Sequence, residues 1–60
     1  MLEIAVVEDN QRLRAALKTG LEALGSVRVA FDCDTGEAAL EHCLRHTPDA
    51  ILMDVQLPAP

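Results

Sequence analysis

Ala50-Ile51-Leu52-Met53-Asp54, running on into Val55-Gln56-Leu57-Pro58, is the stretch on which the reading of this chain turns. Four consecutive apolar residues are too few for an independent helix and suit a short strand buried on both faces. The run stops on a carboxylate. In an open parallel sheet the carboxyl ends of the strands face the ligand crevice, so an acid there is held rigidly and still reaches solvent. Pro58 lacks the amide that a central strand needs and marks the end of the element.

Working outward, the opposite end of the chain repeats the arrangement. Leu2 to Val7 is a mostly apolar run that also ends in acid, at Glu8-Asp9. Laid side by side and parallel, the two strands bring Glu8, Asp9 and Asp54 to one edge. At ~4 Å and an effective dielectric of ~20, each pair of like charges costs on the order of 4 kcal/mol. A whole small domain is stable by only ~5–15 kcal/mol. The trio calls for a positive partner, and a hard divalent cation that prefers oxygen is the natural one.

Between these runs the chain alternates helix and strand signals. Asn10 is placed to cap a helix from Gln11 to Leu24. Its apolar positions Leu13, Ala16, Leu17, Leu21 and Leu24 form one core-packing stripe, with Arg12, Arg14, Lys18 and Glu22 off it. Gly25 stops that helix. Val27, Val29 and Phe31 alternate with Arg28 and Ala30, the pattern of an edge strand with one exposed face. Asp34-Thr35-Gly36-Glu37 then reads as a capping box, with Asp34 as the cap and Glu37 reaching back. The helix that follows is expected to bury Ala39, Leu40, Cys43 and Leu44 and to expose Glu41 and Arg45. Pro48 ends it, and Asp49 is a turn residue leading into the third strand. The series β-α-β-α-β with short links implies an α/β fold with parallel strands and right-handed crossovers. Strand order 2-1-3 follows if the chain winds back past its start, with one helix on each face.

Composition narrows the function. A chain of 60 residues is one domain at most, burying only ~60% of its unfolded surface. Half of the residues are hydrophobic, which argues against disorder, and Phe31 is the single aromatic. The net charge is −5 and the five basic residues are scattered, a poor match to nucleic acid or an anionic membrane. No apolar run approaches the ~20 residues of a bilayer span, and no signal peptide is evident. Cys33 and Cys43 form no paired motif and read as reduced thiols of a cytoplasmic protein. His42 and His46 are spaced to share a zinc ion, but further ligands are lacking, so they read as a solvated face. Gly20, Gly25 and Gly36 are dispersed and make no phosphate loop.

The series Val6-Val7-Glu8-Asp9-Asn10, the Ala50-to-Asp54 strand, the trailing Gln56-Leu57-Pro58 and the Thr35-Gly36-Glu37-Ala38 helix start together resemble the receiver domain of bacterial response regulators. The resemblance covers residues 1–60 as the N-terminal portion of such a domain, and implies a flavodoxin-like receiver fold truncated to its first three strands. It implies that Asp54 is the phosphoacceptor, taking its phosphoryl group from a histidine kinase or phosphotransfer protein. It further implies Mg²⁺ held by Asp9 and Asp54, by Glu8 largely through water, and by the backbone carbonyl of Gln56. A sparse ligand set of this kind suits a cation that keeps several waters. The family also carries a later Ser or Thr and a Lys that contact the phosphoryl group. These 60 residues contain neither, and Lys18 cannot stand in for that Lys, so weak phosphoacceptor competence is expected.

Two other functions compete. One is a phosphatase or phosphotransferase with Asp54 as nucleophile, in the manner of haloacid-dehalogenase-like enzymes; Gln56 stands where those carry a second Asp. The other is a non-catalytic stub that docks, or self-associates, through the open edge of the third strand. The signalling module is preferred over both, as a phosphoacceptor and not an enzyme.

Overall fold

The computed structural model describes residues 1–53, and residues 54–60 lie outside the description. The element order is β1 (Leu2–Val7), α1 (Gln11–Glu22), β2 (Val27–Cys33), α2 (Gly36–Arg45) and β3 (Ala50–Met53). The three strands form one parallel sheet in the order β2-β1-β3, as the flavodoxin-like reading requires.

β1 is central because its last residues are apolar in both directions. Ala5, Val6 and Val7 are all buried, Val6 completely. On one side β1 pairs with β2 from Leu2↔Val27 to Val7↔Cys33, and on the other with β3 from Ile4↔Ala50 to Val7↔Met53. Side chains on paired residues of neighbouring strands point to the same face. Val6 pairs with Asp32, which meets Arg14 and Lys18 of α1, so Val6, Ile4, Val27 and Val29 belong to the α1 face. Val7 and Cys33 pack on Ala39 of α2, with Phe31 and Ala38 beside them. The helices thus cover opposite faces, as right-handed crossovers on either side of β1 demand.

β2 departs from the simple alternating strand. It runs on to Cys33, past the expected end at Phe31. Its register slips once: Val29 pairs with Ile4 and Phe31 with Ala5, so Ala30 is the extra residue of a bulge. Val27 and Val29 therefore face α1, whereas Phe31 and Cys33 face α2. One run of odd-numbered apolar residues serves both layers, and the expectation of a single apolar face is corrected.

The helices start and stop for local reasons. Asn10 caps α1 as expected, its side-chain oxygen accepting from the Leu13 amide at 3.0 Å. Gly25 adopts φ +78°, the left-handed region that glycine tolerates, but α1 already ends at Glu22, two residues before Leu24. At α2 the cap is Thr35, not Asp34: its hydroxyl accepts from the Ala38 amide at 3.1 Å. Glu37 lies in the first turn, where an acid suits the positive helix end. α2 ends at Arg45 with His46 as its cap, ahead of the buried Pro48.

Three burial expectations fail together. α1 has no buried residue, and Leu13 and Leu24 of its stripe are exposed. In α2 only Ala39 is buried, while Leu40 and Leu44 are 64% and 81% exposed. β3, expected to be buried on both faces, is exposed along its whole length. The cause is common. Both helices pack over β2 and β1 and neither lies on β3, so the apolar surface on the β3 side has no cover among the described residues.

Candidate functional site

The carboxyl ends of β1 and β3 meet at one edge of the sheet. Val7 and Met53 are register partners, so Glu8-Asp9 begins where the described part of β3 stops. Of the residues expected at the site, the chain neighbours Glu8 and Asp9 lie at this edge. Asp54 and Gln56 lie outside the described residues.

Glu8 is built into the fold. Only 5% of it is exposed, and both its backbone and its carboxylate are bonded. Its amide donates to the Cys33 carbonyl at 3.0 Å, continuing the β1–β2 ladder by one step. Its Oε2 accepts from the Asn10 amide at 3.0 Å, tying the acid to the entrance of α1. Asp9 is exposed to solvent. The acidic turn thus offers one carboxylate fixed from within and one open to ligands.

A cationic group from the polar side of α1 borders this turn. Arg14 is off the leucine stripe, yet its side chain is only 19% exposed. Its Nη1 donates to the Glu8 carbonyl at 2.9 Å, and its Nε meets Asp32 Oδ2 at 3.2 Å. Lys18, read as an outward residue, lies 3.8 Å from the other Asp32 oxygen. One signal for this cluster was present: Asp32 is a charge within an otherwise apolar strand end, and such a charge needs a partner.

Beside the turn lies an open groove of about 310 Å³, lined by Val7, Glu8, Leu13, Leu17, Leu52 and Met53. It accounts for the exposure of Leu13: the stripe overlooks this groove rather than a packed core.

The remaining candidates do not join the site. His42 stacks on Phe31 with ring centroids 4.5 Å apart, and His46 Nε2 lies 3.0 Å from the Glu3 carboxylate. Asp49 does more than turn the chain. Its carboxylate accepts from the Glu3 amide and its own amide donates to the Glu3 carbonyl, each at 2.8 Å, which fastens β3 to β1. Cys33 and Cys43 are free thiols, as expected. Burial pushes the Cys33 thiol above its ordinary 9.0, with a hydrogen bond from the Thr35 backbone opposing it.

Among the described residues, no group of three or more His, Cys, Asp or Glu side chains is arranged to hold a metal ion. Glu8 and Asp9 supply two hard oxygen donors, one sequestered and one solvated. That set fits a cation which keeps most of its water and takes few protein ligands. No helix among the described residues is long and apolar enough to cross a membrane.

Comparison with known proteins gives a consistent result. Residues 4–59 match the family model described as the response regulator receiver domain. The chain is 34% identical over 58 residues to protein-glutamate methylesterase/protein-glutamine glutaminase 2 of Nitratidesulfovibrio vulgaris, covering 97% of this chain and 16% of that protein. It is 37% identical over 57 residues to the sensory transduction protein LytT of Bacillus anthracis, covering 95% of this chain and 23% of LytT. With the response regulator UvrY of Escherichia coli it shares 29% identity over 58 residues, covering 97% and 27% respectively. The chain therefore spans about a quarter or less of the length of these relatives. No solved structure matches it.

Proposed function

Since the chain belongs to the family of response regulator receiver domains, we propose that it is a phosphoacceptor module in which Asp54 takes a phosphoryl group from a histidine kinase or phosphotransfer protein. Residues 1–60 are, in this reading, the N-terminal portion of a receiver. The observation that carries the reading is the pairing of Val7 with Met53. It sets the acidic turn at the end of β1 beside the strand that leads into Asp54.

The chain's own residues divide the work. Asp54 is the nucleophile: a carboxylate oxygen bonds to phosphorus as the bond between phosphorus and the donor breaks, leaving an acyl phosphate. Glu8, Asp9 and Asp54, with the backbone carbonyl of Gln56, would hold Mg²⁺. When bound, the ion neutralises charge on the transferred group. Glu8, its Oε2 accepting from the Asn10 amide, is fixed at the inner side of the turn. Asp9 remains open to solvent, where a hydrated cation arrives. The product is a signal rather than a turnover, and the methylesterase activity in one relative's name belongs to that relative.

Incubation with acetyl phosphate and Mg²⁺, followed by mass spectrometry, tests the assignment. Weak labelling confined to Asp54 and lost in Asp54→Asn is expected. Labelling that persists in Asp54→Asn overturns it.

A further inference from the structure

We infer that Arg14 is a positioning residue for the acidic turn: it fixes the peptide between Glu8 and Asp9 and thereby the direction in which the Asp9 carboxylate meets a divalent cation. The inference rests on the Mg²⁺ reading above and adds a residue to it.

Two peptide planes flank Glu8, and a different element holds each. The plane before it is held by β2, through the Glu8 amide and the Cys33 carbonyl at 3.0 Å. The plane after it carries the Glu8 carbonyl, which accepts from Arg14 Nη1 at 2.9 Å. A charged donor makes this the stronger kind of hydrogen bond. Arg14 is itself pinned, because Asp32 Oδ2 takes its Nε at 3.2 Å while Lys18 approaches the second oxygen at 3.8 Å. The chain of contacts runs Asp32, Arg14, Glu8 carbonyl, Asp9. Asp9 is exposed, so the backbone from which it projects governs where its carboxylate points. Groups behind a metal ligand that orient it are commonly worth ~10–100-fold in affinity.

The sign of the effect separates positioning from simple charge. Arg14 is a cation close to a cation site, so by Coulomb's law alone its removal should tighten Mg²⁺ binding. As the holder of the Glu8-Asp9 peptide, its removal should loosen binding. Lys18 is the charge control, for it shares the Asp32 partner at 3.8 Å. Arg14→Lys keeps the charge but places a single point donor where the guanidinium bridges two acceptors.

The test is a Mg²⁺ titration of the full chain followed by backbone amide shifts, with each variant first shown to be folded by its amide dispersion. Arg14→Met should bind Mg²⁺ about 10-fold more weakly than the unmodified chain. Arg14→Lys should fall between them, and Lys18→Met should bind as well or slightly better. A role in stability alone would lower the melting temperature and leave the Mg²⁺ affinity of the folded molecule unchanged. Affinity in folded Arg14→Met equal to or above that of the unmodified chain overturns the inference. Should Arg14→Met fail to fold, Asp32→Asn unpins Arg14 in place, and an unchanged affinity there overturns it equally. A metal-free measurement tests the positioning by itself: ¹⁵N relaxation should show the Asp9 amide more mobile in Arg14→Lys, and an unchanged amide overturns it. If the unmodified chain shows no Mg²⁺ response but Asp9 does loosen, the metal reading fails and the positioning stands.

Discussion

β2 and β3 flank the same central strand and are held to it in different ways. β2 pairs along all of β1, lies under both helices, buries Val27, Val29 and Cys33, and carries the acid that anchors Arg14. β3 pairs along four residues, lies under neither helix, and keeps Ile51, Leu52 and Met53 at 42–46% exposure. Its attachment is a short ladder plus the Asp49–Glu3 clamp. The contrast shows that the acidic turn is supported mainly from the β2 side, through Cys33 and Arg14, while the strand leading to Asp54 is the lightly held partner.

The largest expected effect sets the two strands directly against each other. Val29→Ala removes buried surface on the α1 face and should cost about 2 kcal/mol. Ile51→Ala, at a half-exposed position, should cost under about 1 kcal/mol despite deleting more carbon. Urea unfolding of both variants measures the pair, and equal losses would erase the distinction between the strands. A smaller effect isolates the clamp. Asp49→Ala should cost about 1 kcal/mol, and amide exchange should quicken at Ala50 to Met53 with little change across β2. Uniform quickening in both strands would show that β3 is not separately held.

Much of this molecule was legible before any coordinate. The apolar run of Leu2 to Val7, the Asn10 cap and the 2-1-3 order all rest on local chemistry and chain handedness, which sequence carries openly. Thr35 displaced Asp34 as cap because two good capping residues stand side by side, and only the backbone path decides between them. The leucine stripes were real, but periodicity identifies an apolar face without saying what covers it; Leu13, Leu40 and Leu44 remain open for that reason. Arg14 and Asp32 are eighteen positions apart in sequence, and their meeting depends on how α1 is set across β2. The charge at Asp32 signals that a partner is needed, and nothing local says which one. Asp49 after Pro48 has the local signature of a turn residue, and its reach to Glu3 likewise needs the pairing of β3 with β1.

The bulge at Ala30 gives β2 a single place where its length is negotiable. Deleting a residue from a regular strand turns every side chain beyond the cut to the wrong face. Ala30 is outside the ladder, so its loss would leave Phe31 opposite Ala5 and Cys33 opposite Val7, as they already stand. Loss of Arg28 would instead carry Val27 from the α1 face to the other. Circular dichroism of the two deletions should therefore show a native spectrum for the first and a collapsed one for the second, with equal damage counting against the bulge. Sequence drift in this strand has one silent gap, and an alignment that opens its gap anywhere else in β2 would misassign which side chains face which helix.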